Sequence, residues 1–238
     1  MLSQKLNIEN LSEKKILRTR LCDLEFDFGD SVVPKAKRQV LDELETAGFR
    51  FFQPKFYVGD EWFSPDGQMS VSIPFWLSHE KLRKIERGFL KYVEGTSLPA
   101  CMRLLRHEIG HCFEHGYGLS HLPKWQKLFG NPELDYDPDH FAFDRNSKDF
   151  VKNIGGHYAQ SHPEEDFAET FAVVLDPQSD WKNVYKNWPV ALAKLEYTSW
   201  LIKRYKNVPP PRSSFKCSFV ANRTTLTVEE VYQKRLYH

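Results

Sequence analysis

The run SLPACMRLLRHEIGHCFEHG, residues 97–116, is the stretch that most restricts the folds open to this chain. Pro99 is tolerated in a first helical turn and Gly116 can end one, so the run reads as a single helix flanked by apolar Leu104, Leu105 and Ile109. On a helix, residues four apart point to nearly the same side. His107 and His111 can therefore aim ring nitrogens at one point, with Glu108 projecting beside it. That is the H-E-x-x-H arrangement, in which the histidines hold a metal ion and the glutamate takes a proton from water. Zinc suits such a donor set, provided a third protein ligand leaves one position open. Without that ligand, a surface helix carrying two histidines explains the same letters.

The third ligand is sought in HPEEDFAETFA, residues 162–172. Ser161 and Glu164 fit a capping box, Pro163 falls in the first turn and Pro177 closes a helix over 161–177. Glu165 and Glu169 share one face of it, while Phe167, Phe171 and Val174 point elsewhere into a core. Glu165 lies near the helix N-terminus, where the dipole favours an ionised carboxylate; Glu169, one turn deeper, is placed to hydrogen-bond a ligand imidazole. Asp166 stands between them as a further candidate. Alone, Glu164, Glu165 and Asp166 would be first-turn charges complementing the dipole; beside HEIGH they gain a second use.

These residues carry a resemblance. An HExxH helix followed by a second helix bearing a glutamate is the pattern of gluzincins, the thermolysin-like zinc peptidases. YAQSHPEEDFAETFA is similar to the group described as "putative zinc-binding metallopeptidase", whose second helix carries E-D-F-A-E, and the resemblance spans about residues 69–205. It implies a zincin-like fold, Zn2+ held by His107, His111 and Glu165, Glu108 as general base, and a peptide or protein substrate. The gap from His111 to Glu165 is longer than in the best-known gluzincins. A metzincin is disfavoured, because Tyr117 stands where that pattern wants its third histidine and Glu114 where it wants glycine. Resembling sequences carry Tyr-Ala before the second helix, which makes Tyr158 the candidate donor to the oxyanion, with His157 and His162 nearby; a tyrosine that merely packs the helix start fits the same position. His115 prolongs the histidine row but is expected to face solvent at a helix C-terminus.

Around these two helices the pattern is that of an α+β domain with a small mixed or antiparallel sheet. PKAKRQVLDELETAG (34–48) spaces Val40, Leu41 and Leu44 for one apolar face, FRFFQPKFYV (49–58) and QMSVSIPFWL (68–77) read as strands, and SHEKLRKIERGFLKYVEG (78–95) as a helix capped by Ser78. QMSVSIPFWL is a candidate edge on which an extended substrate lays its backbone, or equally an interior strand. A long irregular stretch over 117–160 and a helix over 189–207 follow, and VPPPR is the best linker. The expected organisation is a polar, loosely held lead-in over 1–30, the zincin-like domain over 31–207 and an appendage over 208–238, with a strand at FKCSFVA and a helix at VEEVYQKRLYH. LDYDPDHFAFD alternates acidic residues like a calcium loop, but Pro138 interrupts it and no glutamate holds its twelfth place.

Composition excludes more than it suggests. Thirty-three Lys and Arg against 32 Asp and Glu leave a net charge of +1, so no global field draws the chain to nucleic acid or to anionic membrane. Cys22, Cys101, Cys112 and Cys217 form no CxxC pair, and Cys101 and Cys112, eleven residues apart on one helix, are separated by roughly 16 Å, too far for a bridge. Free thiols, no apolar leader and no run of about 18 apolar residues make the cytoplasm the expected address. Two other functions fit the letters: a non-catalytic module in which zinc ties helices together, and a zinc hydrolase acting on a non-peptide bond. A structural zinc has no use for Glu108 and usually prefers thiolates.

Overall fold

The computed structural model describes residues 5–137, 140–212, 215, 217 and 219–236. In chain order the elements are α1 (Glu13–Leu17), α2 (Val33–Thr46), β1 (Lys55–Gly59), β2 (Ser70–Pro74), α3 (Glu80–Leu90), α4 (Leu98–Tyr117), α5 (Pro123–Phe129), α6 (Pro163–Leu175), α7 (Trp181–Val184), α8 (Pro189–Tyr205) and α9 (Val228–Leu236). Helices and a small sheet together make this an α+β arrangement, as the sequence implies.

The site rests on α4 and α6. Ser97 starts α4 by accepting from the Ala100 N–H, and Gly118, at φ +60°, closes it two residues beyond the expected stop at Gly116. From Leu104 to Tyr117 every residue is buried, so α4 is a central helix rather than an amphipathic surface one. It crosses α6 at Gly110. A Cβ on Gly110 would stand 2.9 Å from the Ala168 Cα and 3.2 Å from its carbonyl oxygen, so the backbones touch there with no room for a side chain. Next to this contact Phe113 packs on Phe171 with ring centroids 5.2 Å apart, and Phe49, Phe52, Tyr117 and Tyr205 extend the aromatic cluster. Helix α6 is capped by His162, whose side chain accepts from the Glu164 N–H, and not by Ser161. Likewise His79 caps α3 in place of Ser78. In both cases the residue just before the first helical turn has extended backbone and an acceptor nitrogen, which the capping-box pattern does not search for.

The sheet departs from expectation. β1 and β2 pair in parallel, with Lys55 opposite Ser70 and Gly59 opposite Pro74, and residues 75–78 form a 3-10 turn in place of the strand's end. The connecting chain turns back on itself, and the Ser72 N–H donates to the Phe63 carbonyl at 2.7 Å on the side of β2 away from β1. All five residues of β2 are buried. It is therefore no open edge for a substrate.

The lead-in is held rather than loose. Ile8, Ile16, Leu21 and Leu24 enter the main core, and the Leu21 and Cys22 N–H groups donate to the carbonyls of Leu226 and Thr224. Those partners lead into α9, whose Tyr232 stacks on Phe89 at 4.5 Å. The two ends of the chain thus brace each other against the core. The strand expected at 215–221 involves residues 216 and 218, and the discounted calcium loop involves 138 and 139, all outside the described residues. All four cysteines are free thiols. Among the described residues, no helix is long and apolar enough to cross a membrane.

Candidate metal centre

The contact at Gly110 brings the i, i+4 pair of α4 against the i, i+4 pair of α6. His107 Nε2 lies 2.9 Å from Glu165 Oε2 and 3.1 Å from His111 Nε2, and His111 Nε2 lies 3.2 Å from Glu165 Oε2. Three donor atoms around a zinc at bonds of ~2.0–2.1 Å stand ~3.3 Å apart, so this triangle has the size and the donor set that zinc takes. All three residues are buried. Burial alone would raise the Glu165 carboxyl, but the charges and hydrogen bonds of His111 and His107 outweigh it and hold that group well below its usual range.

The other carboxylates of α6 face elsewhere. Glu169 Oε1 takes the Nδ1 side of His107 at 2.9 Å, which turns Nε2 toward Glu165 and His111. Asp166 accepts from the Lys194 ammonium of α8 at 2.6 Å. Of the three carboxylates weighed, Glu165 is the one that lies against both imidazoles, while Glu169 bonds His107 and Asp166 bonds α8. Glu108 is 6% exposed beside the triangle, and burial pushes its carboxyl up to about 7 against the pull of the His107 and His111 imidazoles.

The triangle opens into a cleft of about 780 Å³, and Glu108, Tyr158 and His162 line it with the two imidazoles and Glu165. The Tyr158 ring is 5.7 Å from that of His107, and its hydroxyl is hydrogen-bonded to that of Tyr136. Burial first, and the Glu165 charge second, raise both phenols far above their ordinary value, so both stay protonated donors. His162 is occupied in capping α6 and in bonding the Leu134 carbonyl at 3.1 Å. His157 stacks on Phe143 and takes no part in the cleft wall. The expectation that His115 faces solvent is wrong: it is 6% exposed and lines the cleft, with Glu114, His111, Asp66 and the backbone of Gln68 around it.

Several cleft residues escape a reading by motif. Tyr136, Glu61, Trp62, Asp66 and Trp76 come from irregular segments, where no periodicity marks them. Of QMSVSIPFWL, Trp76 lines the cleft, beside the segment from Glu61 to Ser64, which lies over β2.

A family model described as "Putative zinc-binding metallo-peptidase" matches residues 100–226, the span that carries α4, α6 and all three converging ligands. The chain belongs to this family. Searches of curated proteins and of solved structures returned no match. For a zinc-binding metallo-peptidase the donor set is apt: two imidazoles and a carboxylate suit a catalytic ion, whereas structural zinc favours thiolates. The nearest thiol on the motif helix does not compete, since burial pushes Cys112 up to about 12 and its sulfur contacts Ser64 Oγ at 3.3 Å.

Proposed function

We propose that the protein is a zinc-dependent peptidase of gluzincin type on a zincin-like core, cleaving amide bonds with Glu108 as general base. The observation that carries the reading is the convergence of His107 Nε2, His111 Nε2 and Glu165 Oε2 within 3.2 Å at the floor of an open cleft, with Glu108 beside them. Those three side chains would hold the ion. When bound, zinc supplies Lewis acidity that polarises an amide carbonyl and acidifies water.

The chain's own groups do the rest. Glu108, buried beside the three ligands, would take a proton from water as a carboxylate and return it to the leaving amine. Glu169 keeps His107 in the tautomer that presents Nε2. The Tyr158 and Tyr136 hydroxyls are bonded to each other in the cleft wall, so one proton is spent between them and the other would be donated to the oxygen on which negative charge develops.

Metal analysis of the purified protein, paired with cleavage of a peptide library with and without chelator, tests this. We expect stoichiometric zinc and chelator-sensitive cleavage. Glu108→Gln is expected to keep the zinc and lose turnover, and His107→Ala with His111→Ala to lose the zinc. Stoichiometric zinc without chelator-sensitive peptide cleavage would point to a zinc-tied module or to another scissile bond. A parent protein that takes up no zinc would overturn the assignment.

A further inference from the structure

Glu169 is held by a stretch of chain that carries no periodic signal. Residues 149–154 form neither helix nor strand, yet the N–H groups of Asn153 and Ile154 and the Asn153 side-chain amide all donate to the Glu169 carboxylate at 2.9–3.0 Å. On its other side the same carboxylate meets His107 Nδ1 at 2.9 Å. A carboxylate fixed by three amides cannot swing away from the imidazole it orients. The position of this segment therefore sets the direction in which His107 points Nε2.

Away from the metal centre the segment is tied at further points. Lys194 of α8, 3% exposed, donates to the Asp149 carbonyl at 2.8 Å and to Asp166 Oδ2 on α6 at 2.6 Å, and its ammonium lies 4.3 Å over the Phe150 ring. The Lys152 N–H donates to the Tyr185 hydroxyl at 3.0 Å. Val151, between these ties, is buried in a small cluster with Tyr185, Ala191 and Leu195. Replacing a buried ion pair by apolar groups of like volume is often neutral or stabilising, so fold stability alone gives Lys194 no evident task. Its bond to a carbonyl of the segment that feeds Glu169 gives it one.

We infer that Lys194 is a positioning residue for the metal centre: by tying the Asp149 carbonyl to α6 and α8 it fixes residues 149–154, which present their amides to Glu169 and so keep His107 Nε2 aimed at the ion. Tyr185 secures the same segment through Lys152. The inference rests on the zinc assignment above and is independent of which bond is cut.

Zinc affinity of the full-length protein is measured by chelator competition for Lys194→Met and Tyr185→Phe, each alone and combined with Glu169→Ala. Lys194→Met is expected to weaken zinc binding on the order of 3–10-fold, less than the loss of Glu169 itself, and Tyr185→Phe to act in the same direction. Beside Glu169→Ala both effects should vanish, because nothing then links the segment to the imidazole. Proton–nitrogen NMR spectra of the zinc-loaded protein follow His107 Nδ1–H, identified by its change in Glu169→Ala; the signal should also move in Lys194→Met. Ile16→Ala, a core change in α1, should lower the melting point and leave affinity and signal alone. If Lys194→Met does not fold, Tyr185→Phe, which removes one hydroxyl and no charge, carries the same test. Folded variants with parental zinc affinity, or a loss that persists in full beside Glu169→Ala, would overturn the inference and leave the zinc centre standing. A parent protein that takes up no zinc would overturn the centre itself.

Discussion

Glu169 accepts from four donors: His107 Nδ1, the Asn153 N–H, the Asn153 side-chain amide and the Ile154 N–H, all at 2.9–3.0 Å. Removing it therefore does two things, freeing the His107 ring and stranding the backbone of the loop before α6. Glu169→Ala is expected to weaken zinc binding about 10–100-fold, read by competition with a chelator of known affinity. The two phenols act at a later stage. Tyr158→Phe and Tyr136→Phe should each lower kcat by on the order of 10²–10³ with little change in KM or zinc content, the signature of a donor used in the transition state. A fall in KM-linked binding alone would argue that they only shape the cleft. At this scale the sequence was informative wherever spacing carries direction: His107, His111, Glu165 and Glu169 are placed by the four-residue rise of a helix. Tyr136 has no such frame, and His115 was misjudged because a helix C-terminus is ordinarily wet, whereas here the segment of Asp66 and Gln68 lies against it.

The element that decides the site is the crossing of α4 and α6, and one atom tests it. Gly110→Ala adds a Cβ 2.9 Å from the Ala168 Cα, a backbone atom that cannot swing aside, so the helices must part. We expect a loss of about 1–3 kcal/mol in stability and weaker zinc binding, measured by thermal melting and chelator competition. Gly88 on α3 provides the opposite sign: nothing lies within 4 Å of its Cβ position and it is exposed, so Gly88→Ala should stabilise by up to about 1 kcal/mol. If both substitutions shift the melting point alike, the close crossing is not what limits position 110. Helix positions were legible because apolar spacing and prolines announce them. The direction of the sheet was not. The link from β1 to β2, residues 60–69, is too short for a helical crossover and so suggests a hairpin, but the chain doubles back and lays Phe63 against Ser72, which leaves β1 and β2 parallel.

For the whole molecule, zinc and folding are linked. Ligands drawn from α4 and α6 are assembled only in the folded state, so free zinc at 100 times its Kd should stabilise by about 2.7 kcal/mol. At about 2–4 °C per kcal/mol, that raises Tm by roughly 5–11 °C. Glu108→Gln should keep the shift, and the double histidine variant should lose it. An equal response in all three proteins would place the ion elsewhere. The loosely held lead-in expected from a polar N-terminus was not what formed, because Ile8, Ile16, Leu21 and Leu24 are too widely separated to show a period yet all reach the core.

The cleft wall carries a consequence of its own. The three ligands fall inside residues 100–226, while Glu61, Trp62, Asp66, Trp76 and Arg235 all lie outside that span. The residues placed to hold an ion thus lie in one stretch of chain, and part of the wall around them lies in others. A second protein could inherit the one stretch unchanged, rewrite the others, and turn the same chemistry on a different clientele.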